Sequence, residues 1–334
     1  MSQLVGQDNY TQVQLQENSN QKSNFIDIFL MLELNVNNET SKLLAVVLGT
    51  AKSNGPAPML EDCYDPKSRE NVLANSYPIE IDMVNELNQL ENVLVRHNVK
   101  VYRPEIINDY NQIFSRDIGF VIDDSFIIAN ILPERSNEIL AINKVIDLIP
   151  KNKIIKLPET CHVEGGDVIL HNDFIFIGTY NGEDYSNLKT ARTNNRAIEF
   201  LKKKFPAKKI LSFDLIKSDS EPIKNALHLD CCLQPVGNDK LVACPDAFLK
   251  RDQYEWLINY FGKDNILEIS LNEMSEMKCN FLSIDTNIVV SEKSFSNLNS
   301  WLRGFGILVE EINYKEISKQ GGLLRCSTLP LIRE

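Results

Sequence analysis

Short apolar runs alternate with longer segments of helical periodicity along the chain from Leu43 onward. Short runs rich in β-branched residues are typical of strands, and apolar residues recurring every three or four positions are typical of helices. We expect strands near residues 43–48, 99–102, 118–122, 125–128, 154–156, 167–171, 174–179, 209–215, 230–235, 240–244, 266–269, 281–285, 287–291, 307–312 and 328. We expect helices near residues 80–97, 137–148, 190–205, 246–260 and 294–304.

Several neighbouring strands are joined by tight polar turns, for example residues 171–173 (HND) and 237–239 (GND). Such turns connect antiparallel strands, so a doubly wound parallel sheet, which has few hairpins, is not favoured. The order strand, strand, helix, strand recurs about five times, as in repeat architectures. The sequence therefore predicts an α/β fold in which small mixed units are arranged radially.

The two ends of the chain differ in composition. Residues 1–33 are rich in Gln, Asn and Ser and have little apolar periodicity, which predicts a disordered or loosely attached extension. Residues 34–334 are expected to form a single domain. The apolar stretch at residues 25–34 contains Asp27 and Glu33 and is too short to span a bilayer, so we expect no membrane anchor.

Composition excludes some classes of partner. The formal charge is -11 and the longest basic run is residues 202–204 (KKK), which argues against a nucleic-acid partner. The seven cysteines show no CxxC spacing and no secretory signal is visible, so we expect free thiols and a cytoplasmic location. No Gly-rich phosphate loop is present, and we expect no cofactor.

One of the four histidines, His228, lies in residues 226–230 (ALHLD). In a strand it would share a face with Asp230, which favours a site made of both side chains. A buried histidine bonded to a neighbouring acid, with no catalytic role, is an equally good interpretation of this motif alone. A zinc site with Cys231 and Cys232 is disfavoured because the fourth ligand and the usual spacing are missing, and we expect no metal.

A cysteine near the C-terminus, Cys326, follows a double glycine that lets the backbone approach a ligand closely. Arg325 beside it could support a thiolate, although a lone cysteine is more often a small buried hydrophobe. Two further segments, residues 114–117 (FSRD) and 162–167 (HVEGGD), place carboxylates at the starts of predicted strands. Carboxylates at several strand starts indicate a cationic ligand.

These motifs, around Asp117 and in residues 163–167 (VEGGD), 227–230 (LHLD) and 321–326 (GGLLRC), resemble a known superfamily in their order and spacing. It is the guanidino-modifying superfamily of arginine deiminases, dimethylarginine dimethylaminohydrolases and amidinotransferases. The resemblance covers about residue 34 to the end. It implies a five-bladed βα-propeller, or pentein, with the active site at its centre, a small guanidino compound as substrate, and possible homodimers.

The resemblance also implies roles for individual residues. Cys326 would be the nucleophile, His228 the general acid and then base, and Glu164 the acid that orients the guanidinium and the catalytic groups. Asp117 and Asp230 would bind the guanidinium nitrogens. Carboxylates hold the planar N–H groups of a guanidinium well, and a resonance-stabilised guanidinium needs such help before a thiolate can attack it.

Two arginines and one loop complete the implied site. Arg135 and Arg192 fall where dimethylarginine dimethylaminohydrolases bind the substrate carboxylate, although surface ion pairs would explain both equally simply. The loop at residues 49–58 resembles a mobile lid over the substrate. A guanidino amino acid is therefore the expected substrate.

The choice among the subfamilies depends on few residues. Glu164 is like the hydrolases, whereas Asp230 is shared with deiminases and amidinotransferases. We expect a hydrolase that acts on arginine or a methylated arginine through a thiouronium intermediate and releases citrulline plus ammonia or an amine. The alternatives are transfer of the amidino group to an amine acceptor and a catalytically silent binding protein.

Overall fold

The computed structural model describes residues 31–334, which form five three-stranded sheets. The fifteen strands, β1 to β15 in chain order, are Leu43–Leu48, Lys100–Tyr102, Gly119–Ile122, Ser125–Ile128, Ile154–Lys156, Val168–His171, Phe174–Thr179, Lys209–Asp214, Leu233–Val236, Lys240–Ala243, Ile266–Glu268, Leu282–Asp285, Ile288–Glu292, Leu308–Ile312 and Thr328–Arg333. The sheets define five units, which are β15-β1-β2, β3-β4-β5, β6-β7-β8, β9-β10-β11 and β12-β13-β14.

Every unit has the same strand arrangement. The middle strand pairs antiparallel with the first strand and parallel with the third. A parallel pair requires a crossover connection, and helical segments supply it between the second and third strands of each unit. The predicted repetition of strand, strand, helix, strand is confirmed. The predicted turns are also confirmed, with Asn172 and Asp239 in the left-handed region at φ 54° and 58°.

The α-helices, α1 to α8 in chain order, are Pro66–Leu73, Glu80–Arg96, Asn143–Ile146, Asn195–Lys204, Arg251–Phe261, Leu271–Ser275, Ser296–Gly304 and Lys315–Ser318. The 3-10 helices are Pro133–Ile142, Lys151–Lys153, Gly165–Asp167, Pro222–Lys224, Leu229–Cys231, Pro245–Ala247 and Lys263–Asn265.

Three predicted elements need correction. The helix expected at residues 137–148 is mostly the 3-10 helix Pro133–Ile142, followed by the single turn of α3. The helix expected from residue 190 begins at Asn195, because the Asn194 side chain accepts a hydrogen bond from Ala197 N and caps the helix there. The strand expected at residues 230–235 begins only at Leu233.

The buried apolar side chains form two clusters. The larger cluster includes β10, β12, β13 and the buried face of α2, for example Leu87 and Leu90. The second cluster is centred on units 2 and 3 and reaches Leu329 and Leu331 of β15. Leu32 also packs in the second cluster, and its N–H donates to Leu148 O at 2.6 Å. The predicted extension otherwise lies outside the described residues.

Unit 1 is built from both ends of the described chain, because its first strand is the last strand in sequence, β15. In units 2 to 5 the three strands are consecutive in the sequence. Within residues 31–334, no helix is long and apolar enough to cross a membrane.

Replacement of Leu331 by alanine should lower the free energy of unfolding by about 2–5 kcal/mol, because this β15 side chain is fully buried. Urea denaturation would measure the change. Leu308→Ala is the matched control, since Leu308 is 54% exposed on β14, and its free energy of unfolding should change by less than about 0.5 kcal/mol. Equal losses in the two variants would contradict the placement of β15.

Candidate active site

The five connections that lead from one unit to the next each supply a buried polar side chain to one site. Each of these side chains lies within five residues of the first strand of the following unit. The common position explains how residues far apart in sequence meet, because every such strand begins at the same end of its unit. The five residues are Asp117, Glu164, His228, Asn280 and Cys326.

Asn280 holds the cysteine in place. Its Nδ2 donates to Cys326 Sγ at 3.1 Å, and its Oδ1 accepts hydrogen bonds from Cys326 N at 3.0 Å and Leu323 N at 3.2 Å. The thiol also lies 3.6 Å from Asp230 Oδ2. Both Asn280 and Cys326 are buried, so one amide side chain fixes the backbone around the sulfur and donates to the sulfur itself.

The Cys326 thiol is held in its protonated form. Burial raises its pKa well above the ordinary range, and the carboxylates of Asp230 and Asp117 raise it further. The expectation that Arg325 supports the thiolate needs correction. The Arg325 guanidinium pairs instead with Asp230 Oδ2 at 2.7 Å and with Glu39 at 2.9 Å.

The imidazole of His228 lies between two carboxylates. Its Nε2 is 2.8 Å from Glu164 Oε2, and its Nδ1 is 3.7 Å from Asp117 Oδ1. Burial alone would lower the pKa of His228, but these carboxylates and Asp167 outweigh burial and raise it. The site therefore favours an imidazolium.

The predicted strand geometry of His228 and Asp230 is wrong, although both side chains do reach the site. His228 precedes the 3-10 helix Leu229–Cys231, so the two residues do not alternate along a strand. The loop is fixed by Asp167, whose Oδ1 accepts from Leu229 N at 2.9 Å and whose Oδ2 accepts from Thr193 Oγ1 at 2.7 Å.

Glu164 is fully buried and remains ionised. Burial alone would raise the pKa of Glu164, but Arg192 and His228 hold it far below its ordinary value. Arg192 donates to both carboxylate oxygens, at 2.9 and 3.1 Å, and Leu132 N donates to Oε1 at 3.1 Å. An ionised carboxylate only accepts hydrogen bonds, so His228 Nε2 must carry a proton and Nδ1 is the atom free to exchange one.

The two oxygens of Asp117 have different surroundings. Oδ2 accepts from Arg135 at 2.7 Å, whereas Oδ1 is buried and has no hydrogen-bond partner within residues 31–334. A buried carboxylate oxygen without a donor is unfavourable. An N–H group bonded to this oxygen would remove that cost.

The arginines expected to bind a substrate carboxylate are both occupied by protein groups. Arg135 pairs with Glu138 at 2.7 and 2.9 Å in addition to Asp117. Arg192 donates to Glu164 and, at 2.8 Å, to Tyr64 O. Both guanidinium groups orient the carboxylates of the site, and their contact with a substrate carboxylate stays a prediction.

The double glycine at residues 165–166 is required by close packing. A Cβ on Gly165 would lie 2.1 Å from Arg116 O, and a Cβ on Gly166 would lie 2.6 Å from His228 Nδ1 and 2.9 Å from Asp117 Oδ1. The backbone after Glu164 thus forms a wall of the site that only glycine allows.

A metal ion does not fit this arrangement well. One ligand atom each of Asp117, Glu164 and His228 lie within 4.8 Å of one another, which is a possible geometry for a cation. The two carboxylates are already neutralised by Arg135 and Arg192, however, and His228 favours the protonated form. The zinc site considered from the sequence, at His228, Cys231 and Cys232, shares only His228 with this group.

A cavity of about 220 Å³ lies beside Arg135. It is bordered by the segment expected to be a lid, including Asn54 and Pro58, and by the residues that follow it. The predicted lid begins at a fixed point, because Gly49 N donates to Ser327 O at 2.9 Å. Its mobility stays a prediction. The cavity lining includes Asn54, Tyr64, Asp65, Asn111, Arg135 and Glu138.

Sequence reasoning missed several residues of the site. Asn280 carries no charge and no nucleophile, but it lies two residues before β12 as Asp117 lies two residues before β3, and this repeat position could have identified it. Glu138 follows Arg135 by three residues in a segment with helical turns, a spacing that pairs side chains. No motif or spacing in the sequence indicated Glu39.

Comparisons with known proteins identify the relatives of this chain. The sequence profile of the family described as N,N dimethylarginine dimethylhydrolase, eukaryotic, matches residues 67–333. The uncharacterised protein YkgA of Bacillus subtilis strain 168 is 28% identical over 249 residues, which are 73% of this chain and 78% of that protein. An arginine deiminase of Pediococcus pentosaceus is 25% identical over 52% of this chain and 48% of its own length.

Solved structures share the fold at lower sequence identity. SxtG, an amidinotransferase from Microseira wollei, has a TM-score of 0.68 at 18% identity and covers 90% of this chain and 98% of its own. The N-terminal domain of ArgZ, an arginine dihydrolase from cyanobacteria, has a TM-score of 0.71 at 16% identity and covers 87% of this chain and 98% of its own.

Gly166→Ala should lower the pKa of His228. The added Cβ must push the imidazole away from Asp117 and Glu164, the carboxylates that raise this pKa, so the value should fall toward or below about 6.5. NMR titration of the imidazole would measure it. Gly304→Ala is the control, because its Cβ meets no heavy atom within 4 Å. A His228 pKa that is the same in both variants would refute this packing.

Proposed function

Because this chain belongs to the eukaryotic N,N dimethylarginine dimethylhydrolase family, we propose that it hydrolyses the guanidino group of a small amino acid. The substrate is arginine or a related guanidino amino acid, with or without N-methyl groups. The products are a citrulline-like amino acid and ammonia or an amine. The reaction proceeds through a covalent thiouronium intermediate on Cys326.

The observation that carries this proposal is the unpartnered Asp117 Oδ1. It is a buried acceptor 3.7 Å from His228 Nδ1, and the Asp117 charge also raises the pKa of the Cys326 thiol. A guanidinium N–H bonded to this oxygen would therefore lie beside both the base and the nucleophile. The cation would also offset the carboxylate charges that keep Cys326 protonated.

The first half of the reaction forms a C–S bond. The Cys326 thiol releases its proton to the solvent as the cationic substrate binds, and the thiolate attacks the guanidinium carbon. Asn280 Nδ2, which is 3.1 Å from the sulfur, orients the sulfur during the attack. The imidazolium of His228 then donates its Nδ1 proton to the leaving nitrogen, which departs as ammonia or an amine and leaves the thiouronium adduct.

The second half breaks the C–S bond. Neutral His228 takes a proton from water at Nδ1, and the hydroxide adds to the thiouronium carbon. The adduct collapses to the ureido product and returns the electron pair to the sulfur of Cys326. Glu164 contacts Nε2 throughout and stabilises the imidazolium form. The hydroxyl of the adduct loses its proton as the carbonyl forms, and this proton converts the Cys326 thiolate back to the thiol.

The far end of the substrate is proposed to occupy the 220 Å³ cavity beside Arg135. Burial raises the pKa of Glu138 to about 7, so this carboxyl can become neutral and release Arg135 toward a substrate carboxylate. Asn54 Oδ1 is buried, has no hydrogen-bond partner among residues 31–334, and could accept from the substrate amino group. The placement of one site residue by every unit supports a further proposal, that the five sheets are the blades of a propeller around this site.

Amidino transfer to an amine acceptor is the second candidate. It is favoured by the fold shared with SxtG and uses the same thiouronium intermediate. Glu164 and the match to a dimethylhydrolase family favour water as the acceptor.

Product analysis distinguishes the two reactions. Purified protein should convert arginine or a methylated arginine to citrulline plus ammonia or the amine, and added glycine, lysine or ornithine should not change the products. Mass spectrometry would measure them. Cys326→Ser should lower kcat at least about a thousand-fold because the nucleophile is lost.

Cys161→Ser is the matched control, since Cys161 is also buried but lies outside the site, and it should keep its activity. A guanidino product that forms only when an amine is present would identify a transferase. Undiminished turnover by Cys326→Ser would exclude both reactions.

Alkylation by iodoacetamide should report the protonation of Cys326. The rate should rise with pH with a midpoint above about 8.5, the pKa of a free cysteine, because burial and two carboxylates oppose the thiolate. Mass spectrometry of the Cys326 peptide would measure the alkylation rate.

The value of kcat should fall as pH rises through the raised pKa of His228, because the imidazolium is the acid. Initial rates at each pH would give kcat.

Asn280→Ala should move the alkylation midpoint to higher pH, since the variant removes the N–H donor that favours the thiolate. Asn187→Ala changes an exposed asparagine and is the control. A midpoint unaffected by loss of Asn280 would show that its amide does not contact the sulfur.

A further inference from the structure

A second group of charged side chains is buried next to Asp230, whose Oδ2 also lies 3.6 Å from Cys326 Sγ. Arg325 pairs with Asp230 at 2.7 Å and with Glu39 at 2.9 Å, and Arg116 Nη1 lies 4.0 Å from Glu39. Arg333 also acts on Glu39 through its charge. All five residues are at most 4% exposed.

The charges in this group do not cancel. Arg116, Arg325 and Arg333 contribute three positive charges, and the ionised carboxylates of Glu39 and Asp230 contribute two negative charges, which leaves one positive charge. Asp285 acts on Arg333 but is only half-buried, so water screens it. An unneutralised charge in a dry interior is costly.

Two guanidinium nitrogens in the group also lack acceptors. Arg116 donates through Nε to Arg325 O at 3.3 Å, but its Nη2 is buried and has no hydrogen-bond partner in the described chain. Arg333 donates through Nη2 to Ser283 O at 2.9 Å and through Nη1 to Ser41 O, but its Nε likewise has none. Each of these two nitrogens therefore lacks a hydrogen-bond acceptor, and the group as a whole lacks one negative charge.

Burial and the positive charge of Arg325 lower the pKa values of both Arg116 and Arg333. Burial first, and the charge of Arg325 next, lower the pKa of Arg116 to about 9. The pKa of Arg333 is lowered to about 10 by burial and by Arg325, while Glu39 opposes the change. A nearby anion would remove this penalty for both arginines.

We propose that Arg116 Nη2 and Arg333 Nε bind one small monovalent inorganic anion, chloride, in the interior behind the Arg325–Asp230 pair. A chloride ion supplies both the missing acceptor and the missing charge, whereas a water molecule supplies only the acceptor. A larger metabolite is disfavoured because every charged side chain of the group is buried. The proposal does not depend on the proposed reaction.

Backbone hydrogen bonds would connect the anion site to Cys326. Arg116 N donates to Cys326 O at 3.0 Å, and Arg325 N donates to Asn280 O at 3.2 Å. An anion that fixes Arg116 therefore also fixes the backbone at Cys326.

Thermal unfolding in chloride and in gluconate at equal ionic strength tests the proposal. The intact chain should melt roughly 2 °C or more higher in chloride, because a ligand that binds only the folded state stabilises it. Crystals grown in sodium bromide should show an anomalous peak beside Arg116 Nη2 and Arg333 Nε. Equal melting temperatures in the two salts, or no peak at this position, would overturn the proposal.

Two variants separate this effect from general salt effects. Arg116→Gln cancels the net charge and should abolish the difference between chloride and gluconate, whereas Glu39→Gln adds a positive charge and should reach the full difference at a lower chloride concentration. Arg96→Gln removes a surface arginine with a 57% exposed side chain and should leave the difference unchanged. If either core variant does not fold, the bromide peak and the two-salt comparison on the unaltered chain still decide.

Discussion

The parallel pairing of the second and third strands in every unit is the constraint on which the rest of the structure depends. A parallel pair needs a helical crossover, so the chain leaves each unit from its third strand and must return to begin the next. These returning connections carry Asp117, Glu164, His228, Asn280 and Cys326. The strand topology thus gathers residues that span most of the sequence, and no single local motif could do so.

Burial makes charge balance the second constraint. Carboxylates and arginines alternate through the interior, from Glu138 and Arg135 to Asp117, and from Glu164 to Arg192. Each arginine therefore has a structural task, and this explains why the two expected to meet a substrate carboxylate are already paired. A buried ion pair adds little net stability but fixes geometry. Here it fixes the direction of the acids that surround the cysteine and the histidine.

The sequence was sufficient for most of the architecture but not for the local geometry of the site. Strands such as β1 and β7 coincide with their predicted ranges, because apolar runs bounded by turn residues are a local signal. α1 has no apolar face to reveal it, and residues 133–142 follow a 3-10 path that begins at a proline. The residues that the structure brings together at the site, such as Cys326 and His228, were identifiable by motif, whereas the pairing of Arg325 with Glu39 joins residues 286 positions apart.

The carboxylates of the site act on both the cysteine and the histidine, and the proposed chemistry follows from that. The carboxylates of Asp117 and Asp230 keep the cysteine protonated, and those of Asp117 and Glu164 keep the histidine positive. A cation bonded to Asp117 Oδ1 offsets the first effect, while Glu164 retains its contact with the imidazole. In the proposed reaction the substrate would thus release the thiolate that attacks it while the imidazolium stays charged, and the same carboxylates would restrict thiol reactivity in its absence.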